Sequence, residues 1–209
     1  MAWKVSRTSI LVLIFVSGCA VGVKHDYKLA TLDIQAETVE SIAVATLDHR
    51  GYVLDARKND SFVGLSRGGF GNPFDIVTLS GNPLADDISY SIAASLDTSS
   101  VRTMVIKIEP SQSVSNAFAK LQAEGAQRSI LLTLREWKSD SYFNVGFHYD
   151  FDISILDAQG NLLLEKQFTA DEDIGVMGPF DTGGGENVTV RFRSLMAELF
   201  QDPEVMKHL

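Results

Sequence analysis

From Phe143 to Ile155 the chain alternates without a break. Phe143, Val145, Phe147, Tyr149, Phe151, Ile153 and Ile155 are apolar, and Asn144, Gly146, His148, Asp150, Asp152 and Ser154 between them are polar or small. A period of two over this length is a β-strand, because successive side chains point to opposite faces of a sheet. One face is therefore buried and the other wet. A doubly wound parallel sheet, which buries both faces, does not fit. Asp157-Ala158-Gln159-Gly160-Asn161 reads as a turn, and Leu162 to Ala170 as the returning hairpin strand. Leu162, Leu163 and Leu164 are all apolar, so the pattern leaves the register of that strand open.

Other segments follow the same two periods. Ser41 to Leu47 is a buried-strand run bounded by Asp48-His49-Arg50-Gly51, and Val101 to Ile108 and Ser129 to Trp137 are further strands. Tyr52 to Leu54 and Phe62 to Leu65 suggest short ones. Leu84, Ile88, Ile92 and Leu96 form one helical stripe, with Asn82 and Pro83 as start signals and Asp86 and Asp87 at the positive end of the dipole. Ser113 opens a second helix that Gly125 ends, and Val188, Phe192, Leu195, Met196 and Leu199 mark a third that Asp202-Pro203 breaks. The expected fold is α+β: a two-layer sandwich with a mixed, mostly antiparallel sheet and about three helices on one face.

The N-terminus has a different character. Lys4 and Arg7 precede a continuous apolar run from Ile10 to Val16, then small Ser17 and Gly18, then Cys19, the sole cysteine of 209 residues. Charged start, apolar centre and small residues at the cut describe a secretory signal. The apolar run falls far short of the roughly 20 residues a membrane-spanning helix requires. Val16-Ser17-Gly18-Cys19 resembles the lipobox of bacterial lipoproteins, which implies palmitate-type acylation of Cys19 and cleavage before it. Ala20, where an aspartate would imply inner-membrane retention, implies the outer membrane. The organisation expected is therefore a signal peptide over residues 1–18, a lipidated tether over 19–40 and one globular domain over 41–209.

Removing Lys4 and Arg7 with the signal leaves 16 basic against 27 acidic side chains, a formal −11. That excludes a nucleic-acid partner, which needs clustered Lys and Arg. It also excludes electrostatic docking to anionic lipid, so membrane attachment rests on the acyl chains of Cys19. With that thiol consumed no disulfide forms, and the domain stands on its core alone.

Two glycine-rich segments remain: Arg67-Gly68-Gly69-Phe70-Gly71-Asn72-Pro73-Phe74 and Gly178-Pro179-Phe180-Asp181-Thr182-Gly183-Gly184-Gly185. Neither is a phosphate-binding P-loop, since no Gly-Lys-Ser/Thr follows. Each precedes a helix in the pattern, so both are expected at one end of a one-sided sheet, where loops carry function. Arg67, Phe70, Phe74 and Phe180 are the residues they offer a protein partner. Together with Phe62-Val63-Gly64 and Ser80-Gly81-Asn82-Pro83-Leu84-Ala85, the first segment resembles the motifs of YajG-like bacterial lipoproteins. That resemblance spans most of the mature chain and implies a small α+β envelope lipoprotein with no assigned activity.

Candidate chemistry is sparse. His148, Asp150 and Asp152 share one strand face and are of metal-ligating type. Side chains about 7 Å apart along a strand do not converge on one ion unaided, so a solvated sheet face explains them better. His49 has no nucleophile identifiable beside it, and no Gly-x-Ser-x-Gly elbow occurs. Arg67 could bind an anion or fix its own loop to a carbonyl or carboxylate. The expectation is no enzyme, metal or cofactor, but a lipid-anchored binding or scaffold module facing the periplasm. The alternative is an auxiliary lipoprotein of envelope transport that binds lipid or another small apolar ligand.

Overall fold

The computed structural model describes residues 22–29, 32, 34, 39–97, 101–177 and 183–209. Cys19 and Phe180 lie outside them. Among the described residues the strands are β1 (Lys24–His25), β2 (Ser41–Asp48), β3 (Phe62–Arg67), β4 (Pro73–Thr78), β5 (Arg102–Val105), β6 (Arg128–Ser141), β7 (Asn144–Asp157) and β8 (Leu162–Val176). The helices are α1 (Gly51–Leu54), α2 (Leu84–Asp97), α3 (Val114–Ala123), α4 (Gly185–Phe200) and α5 (Pro203–His208).

All eight strands join one sheet, and β6 is its spine. One edge of β6 pairs antiparallel with β7 along nearly its whole length, from Arg128↔Asp157 to Ser141↔Val145. The other edge is shared. Residues 128–134 pair parallel with β2, and residues 139–141 pair parallel with β3. Between these partners β6 carries a bulge at Leu134/Glu136, which bends the strand and increases its twist. The sheet curls into an open half-barrel, not the flat sandwich layer expected from the pattern.

The second departure is in the helices. Among the described residues there are five, and they do not share a face. Leu84, Ile88, Ile92 and Leu96 of α2, with Val188, Phe192, Leu195 and Met196 of α4 and Val205 of α5, join one core with Ile42, Val44, Ile130, Leu132 and the inward residues of β7. On the opposite side α3 packs Ala117 and Leu121 against Ala43, Ala45, Leu47 and Leu131. The reason lies in β2: all eight residues are buried, so that part of the sheet needs a cover on both sides. The β7 strand keeps the one wet face that its alternation required.

Smaller departures have local causes. Tyr52 to Leu54 is one helical turn and not a strand, since the edge of β6 is already filled by β2 and then β3. Pro73 and Phe74, read as the end of the glycine-rich segment, open β4, which returns antiparallel from β3. The segment expected to act as a tether enters the fold early: Lys24 and His25 pair with β4, and Tyr27, Leu32, Ile34 and Val39 are buried. Asp202-Pro203 ends α4 but also starts α5, with Asp202 accepting from the Glu204 and Val205 amides.

Trp137 fills the centre of the larger core. It is fully buried, with ring centroids of Phe147, Phe151, Phe192 and Tyr27 at 5.2, 5.9, 5.9 and 6.0 Å. Edge-to-face packing of this kind adds to the area term, about 0.5–1.5 kcal/mol per pair.

Candidate functional site

The parallel β3–β6 pairing sends both strands to the same end of the sheet. There the β3–β4 turn, the β6–β7 turn, the end of β8, the start of α4 and the N-terminal strand come together. The Tyr142 hydroxyl donates to the Gly69 carbonyl at 3.4 Å, joining the first two turns. The Met177 amide donates to the Phe143 carbonyl at 3.1 Å, joining β8. Ser141 Oγ and His25 Nε2 both donate to the Gly183 carbonyl, at 3.0 and 3.1 Å, joining β1 and the approach to α4. Gly184, with φ +66°, begins α4 against the Val145 methyl groups, where any Cβ would collide. Residues 68–72 and 183–185, from the two glycine-rich segments, thus both lie at this end, held through Tyr142 and Ser141 respectively.

The residues the pattern singled out divide here. Arg67 is committed within the fold: its Nε and Nη2 donate to both carboxylate oxygens of Asp140 at 2.7 and 2.6 Å. This bidentate pair clamps the end of β3 to β6. Phe70 is 98% exposed, and Phe74 37%. Phe143, which the pattern placed on the buried face, is 71% exposed because β7 begins only at Asn144. Val176 beside it is also exposed, and the Tyr142 and Phe143 rings lie 4.2 Å apart. Phe180 lies outside the described residues.

The wet face of β7 is organised by an arginine that the alternation did not single out. Arg135 stands at the bulge of β6 and donates to Asp150 through Nε and Nη2 at 3.1 and 2.8 Å. It also holds Asp152, through Nη2 at 2.8 Å and through Nη1. Gln167 of β8 adds a bond to Asp150 at 2.9 Å. The arginine holds the Asp150 carboxyl below the usual carboxylate range. His148 turns instead to Asp171, at 2.9 Å. The three residues of metal-ligating type thus serve two separate partners.

A second network joins sheet to helix. Arg191 of α4 donates to Glu172 of β8 at 2.6 and 2.8 Å and to Glu198 at 2.9 Å. The Tyr149 hydroxyl donates to Glu172 at 3.0 Å. Arg191 holds the Glu172 carboxyl below its ordinary range, whereas burial, with Glu172 beside it, pushes the Tyr149 hydroxyl up.

The buried cation of the fold is Arg50, in the segment read from sequence as a strand boundary. Its side chain fills the gap where β6 changes partner from β2 to β3. It pairs with Asp48 and donates to the carbonyls of Phe62, Asp60 and Trp137 at 2.6, 3.0 and 3.3 Å. Tyr52 closes the gap from outside, donating to Glu136 at 2.8 Å. An acid and an arginine two residues apart at a strand end were the only signal in the sequence. His49 between them donates to the Gln112 carbonyl at 2.8 Å.

Surface clefts of about 460, 510 and 450 Å³ occur beside α1, at the β6–β7 turn and between β8 and α4. All three open to solvent and have mixed polar and apolar linings. No group of three His, Cys, Asp or Glu side chains converges as a metal site among the described residues.

No family model matches the chain, and no curated protein sequence matches it. Solved structures with a similar course exist at low identity. A Xanthomonas campestris protein of the DUF330 family is 10% identical, with 88% of this chain and 93% of that one covered and a TM-score of 0.48. PelC from Paraburkholderia phytofirmans, a dodecamer, is 9% identical over 78% and 89%, with a TM-score of 0.41. Lipoprotein GNA1162 from Neisseria meningitidis is 12% identical over 76% and 96%, at 0.29. At such values these likenesses assign neither family nor function. The class defined by the structure itself is a mixed α/β domain on a curled open sheet.

Proposed function

We propose that the chain is a lipid-anchored envelope lipoprotein, held in the outer membrane by acyl chains on Cys19 and facing the periplasm. Its domain acts as a non-catalytic binding or scaffold module. The observation that carries this reading is Val16-Ser17-Gly18-Cys19 behind a charged and apolar leader, with no other cysteine in the chain. Resemblance of the 62–85 motifs to YajG-like lipoproteins supports it. No helix among the described residues is long and apolar enough to cross a membrane. Between sheet and helices, where a carrier of apolar ligands would hold its cargo, the space is filled by Trp137 and the aromatic rings around it. That supports binding at the surface over ligand transport.

The test is metabolic labelling with palmitate. The wild-type chain takes the label and fractionates with the outer membrane; Cys19→Ser takes none and stays unprocessed or soluble. Label retained by Cys19→Ser would end the lipoprotein reading, and inner-membrane fractionation would end the sorting reading from Ala20. Native mass spectrometry of the detergent-extracted protein then shows the partner, or an apolar ligand if the transport alternative holds.

A further inference from the structure

We infer that the end of the sheet carrying Phe70, Phe143 and Val176 is a membrane-contacting face, seated at headgroup level in the bilayer that holds Cys19. The inference rests on the lipid-anchor reading and adds to it an orientation and a contact surface. Three observations lead to it.

The first is where the chain enters the fold. β1 runs parallel to β4, with Lys24 beside Val77 and His25 beside Thr78. β4 runs away from the turn that holds Phe70, so from Lys24 back to Gly22 the chain heads toward that turn. Val23 already lies against Gly183, at the same end. Cys19 is three residues before Gly22, and three residues reach at most about 11 Å even when fully extended. An acyl-bearing Cys19 therefore holds the side of the domain where β1 begins close to the bilayer surface, and that side leads to the Phe70 turn.

The second is what this end displays. Phe70 is 98% exposed, Val176 72% and Phe143 71%, each from a different turn or strand end. Tyr142 adds a ring beside Phe143 with its hydroxyl turned to Gly69. Large apolar side chains presented together mark a contact surface. Aromatic rings with a polar tip are the side chains that settle at the membrane–water interface.

The third is charge. Arg67 at this end is held by Asp140, and Asn144 donates to Asp173 at 2.6 Å. With a mature chain of formal charge −11, net charge does not draw the domain to anionic headgroups. The contact is apolar, and it forms equally well on zwitterionic lipid.

The test uses the lipidated full chain, extracted in detergent and reconstituted into phosphatidylcholine vesicles with plain or brominated acyl chains. Phe70→Trp and Phe143→Trp each place a reporter at the face. Leu162→Trp places one at the opposite end, beside the β7–β8 turn, where Leu162 is 50% exposed. Trp137 is buried in every variant and gives a constant background. Emission from the indoles at 70 and 143 should fall by roughly half in brominated vesicles, as befits rings at interface depth, and emission at 162 should not change. Palmitate incorporation is measured on the same samples. Label present without quenching at 70 and 143, or with equal quenching at 162, overturns the inference and leaves the anchor reading standing. Label absent overturns the anchor reading, and the inference with it. Cross-linking of Phe70 to a second copy without lipid quenching would show self-association in place of membrane contact, and also overturns it.

Discussion

Arg50 donates through Nε and Nη2 to the two carboxylate oxygens of Asp48, at 2.8 and 2.7 Å, and both side chains are sealed from solvent. The pair occupies the one place where the edge of β6 has no strand beside it. Unpaired carbonyls there would be costly to bury, and Arg50 supplies their donors. Arg50→Ala and Asp48→Ala should each lower unfolding free energy by about 3–5 kcal/mol, because each leaves an uncompensated buried group. Replacing both together should not fully restore stability, since the Phe62 carbonyl loses the Arg50 donor, whereas the Asp60 and Trp137 carbonyls keep the Leu84 amide and the Tyr52 hydroxyl. Urea unfolding of the three variants checks this; a double variant as stable as wild type would show that Arg50 serves Asp48 alone.

Gly64 faces Ser139 across the β3–β6 pairing. A Cβ there would collide with Ser139 Oγ and stand 2.7 Å from its carbonyl oxygen. Gly64→Ala should cost about 1–3 kcal/mol through overpacking. Gly69→Ala, in open space, should cost far less. Comparable melting temperatures for the two variants would refute the close approach.

Arg67 and Asp140 are each about one-third exposed, so their pair is partly screened. Arg67→Ala and Asp140→Ala should each destabilise by about 0.5–1 kcal/mol, and the double variant by little more than either. Additive losses in that cycle would mean that Arg67 acts on something other than Asp140.

Arg135 and His148 stand on the same wet face and should respond differently. Arg135→Ala leaves Asp150 and Asp152 as unneutralised neighbours and should cost about 1–2 kcal/mol. His148→Ala loses one exposed contact and should stay within about ±0.5 kcal/mol, with unchanged metal content. A stoichiometric metal lost on His148→Ala would replace the ion-pair reading of this face.

Acid should weaken the fold. Asp150, Glu172 and Asp202 are held below their ordinary range by Arg135, Arg191 and Lys166 respectively. A carboxylate depressed in the folded state stabilises it above its unfolded pKa, and that contribution is lost as pH falls through the folded value. The melting temperature should therefore drop as pH goes from about 5 to about 3. Asp87 opposes the trend, because burial raises its pKa and favours its protonated form in the fold. Arg191→Gln should flatten the acid decline, since Glu172 then titrates nearer its unfolded value. Superimposable pH profiles for that variant and wild type would contradict the assignment.

The elements that the sequence announced most sharply have burial that is one-sided and local, while β2 was announced only as a buried run. The alternation from Val145 to Ile155 and the stripe Leu84, Ile88, Ile92 and Leu96 are buried as their periods require, because a strand or helix meets the core on a face its own spacing defines. Phe143 broke the rule only where its strand had not yet begun. Cys19 in the proposed lipobox would likewise be a linear signal, read by enzymes before folding matters. What tertiary structure alone decided depends on which strands share an edge. The apolar run of β2 gave no hint that α3 would cover its second face. Arg50 looked like a turn residue until the split edge of β6 gave it carbonyls to satisfy, and Asp150 and Asp152 read as a solvated sheet face until the bulge brought Arg135 between them. Pairings across sixty or ninety residues leave no period in the sequence, since they are set by which edge is open when the sheet closes; the exposed end that gathers Phe70, Phe143 and Val176 exists only because β3 and β6 run the same way.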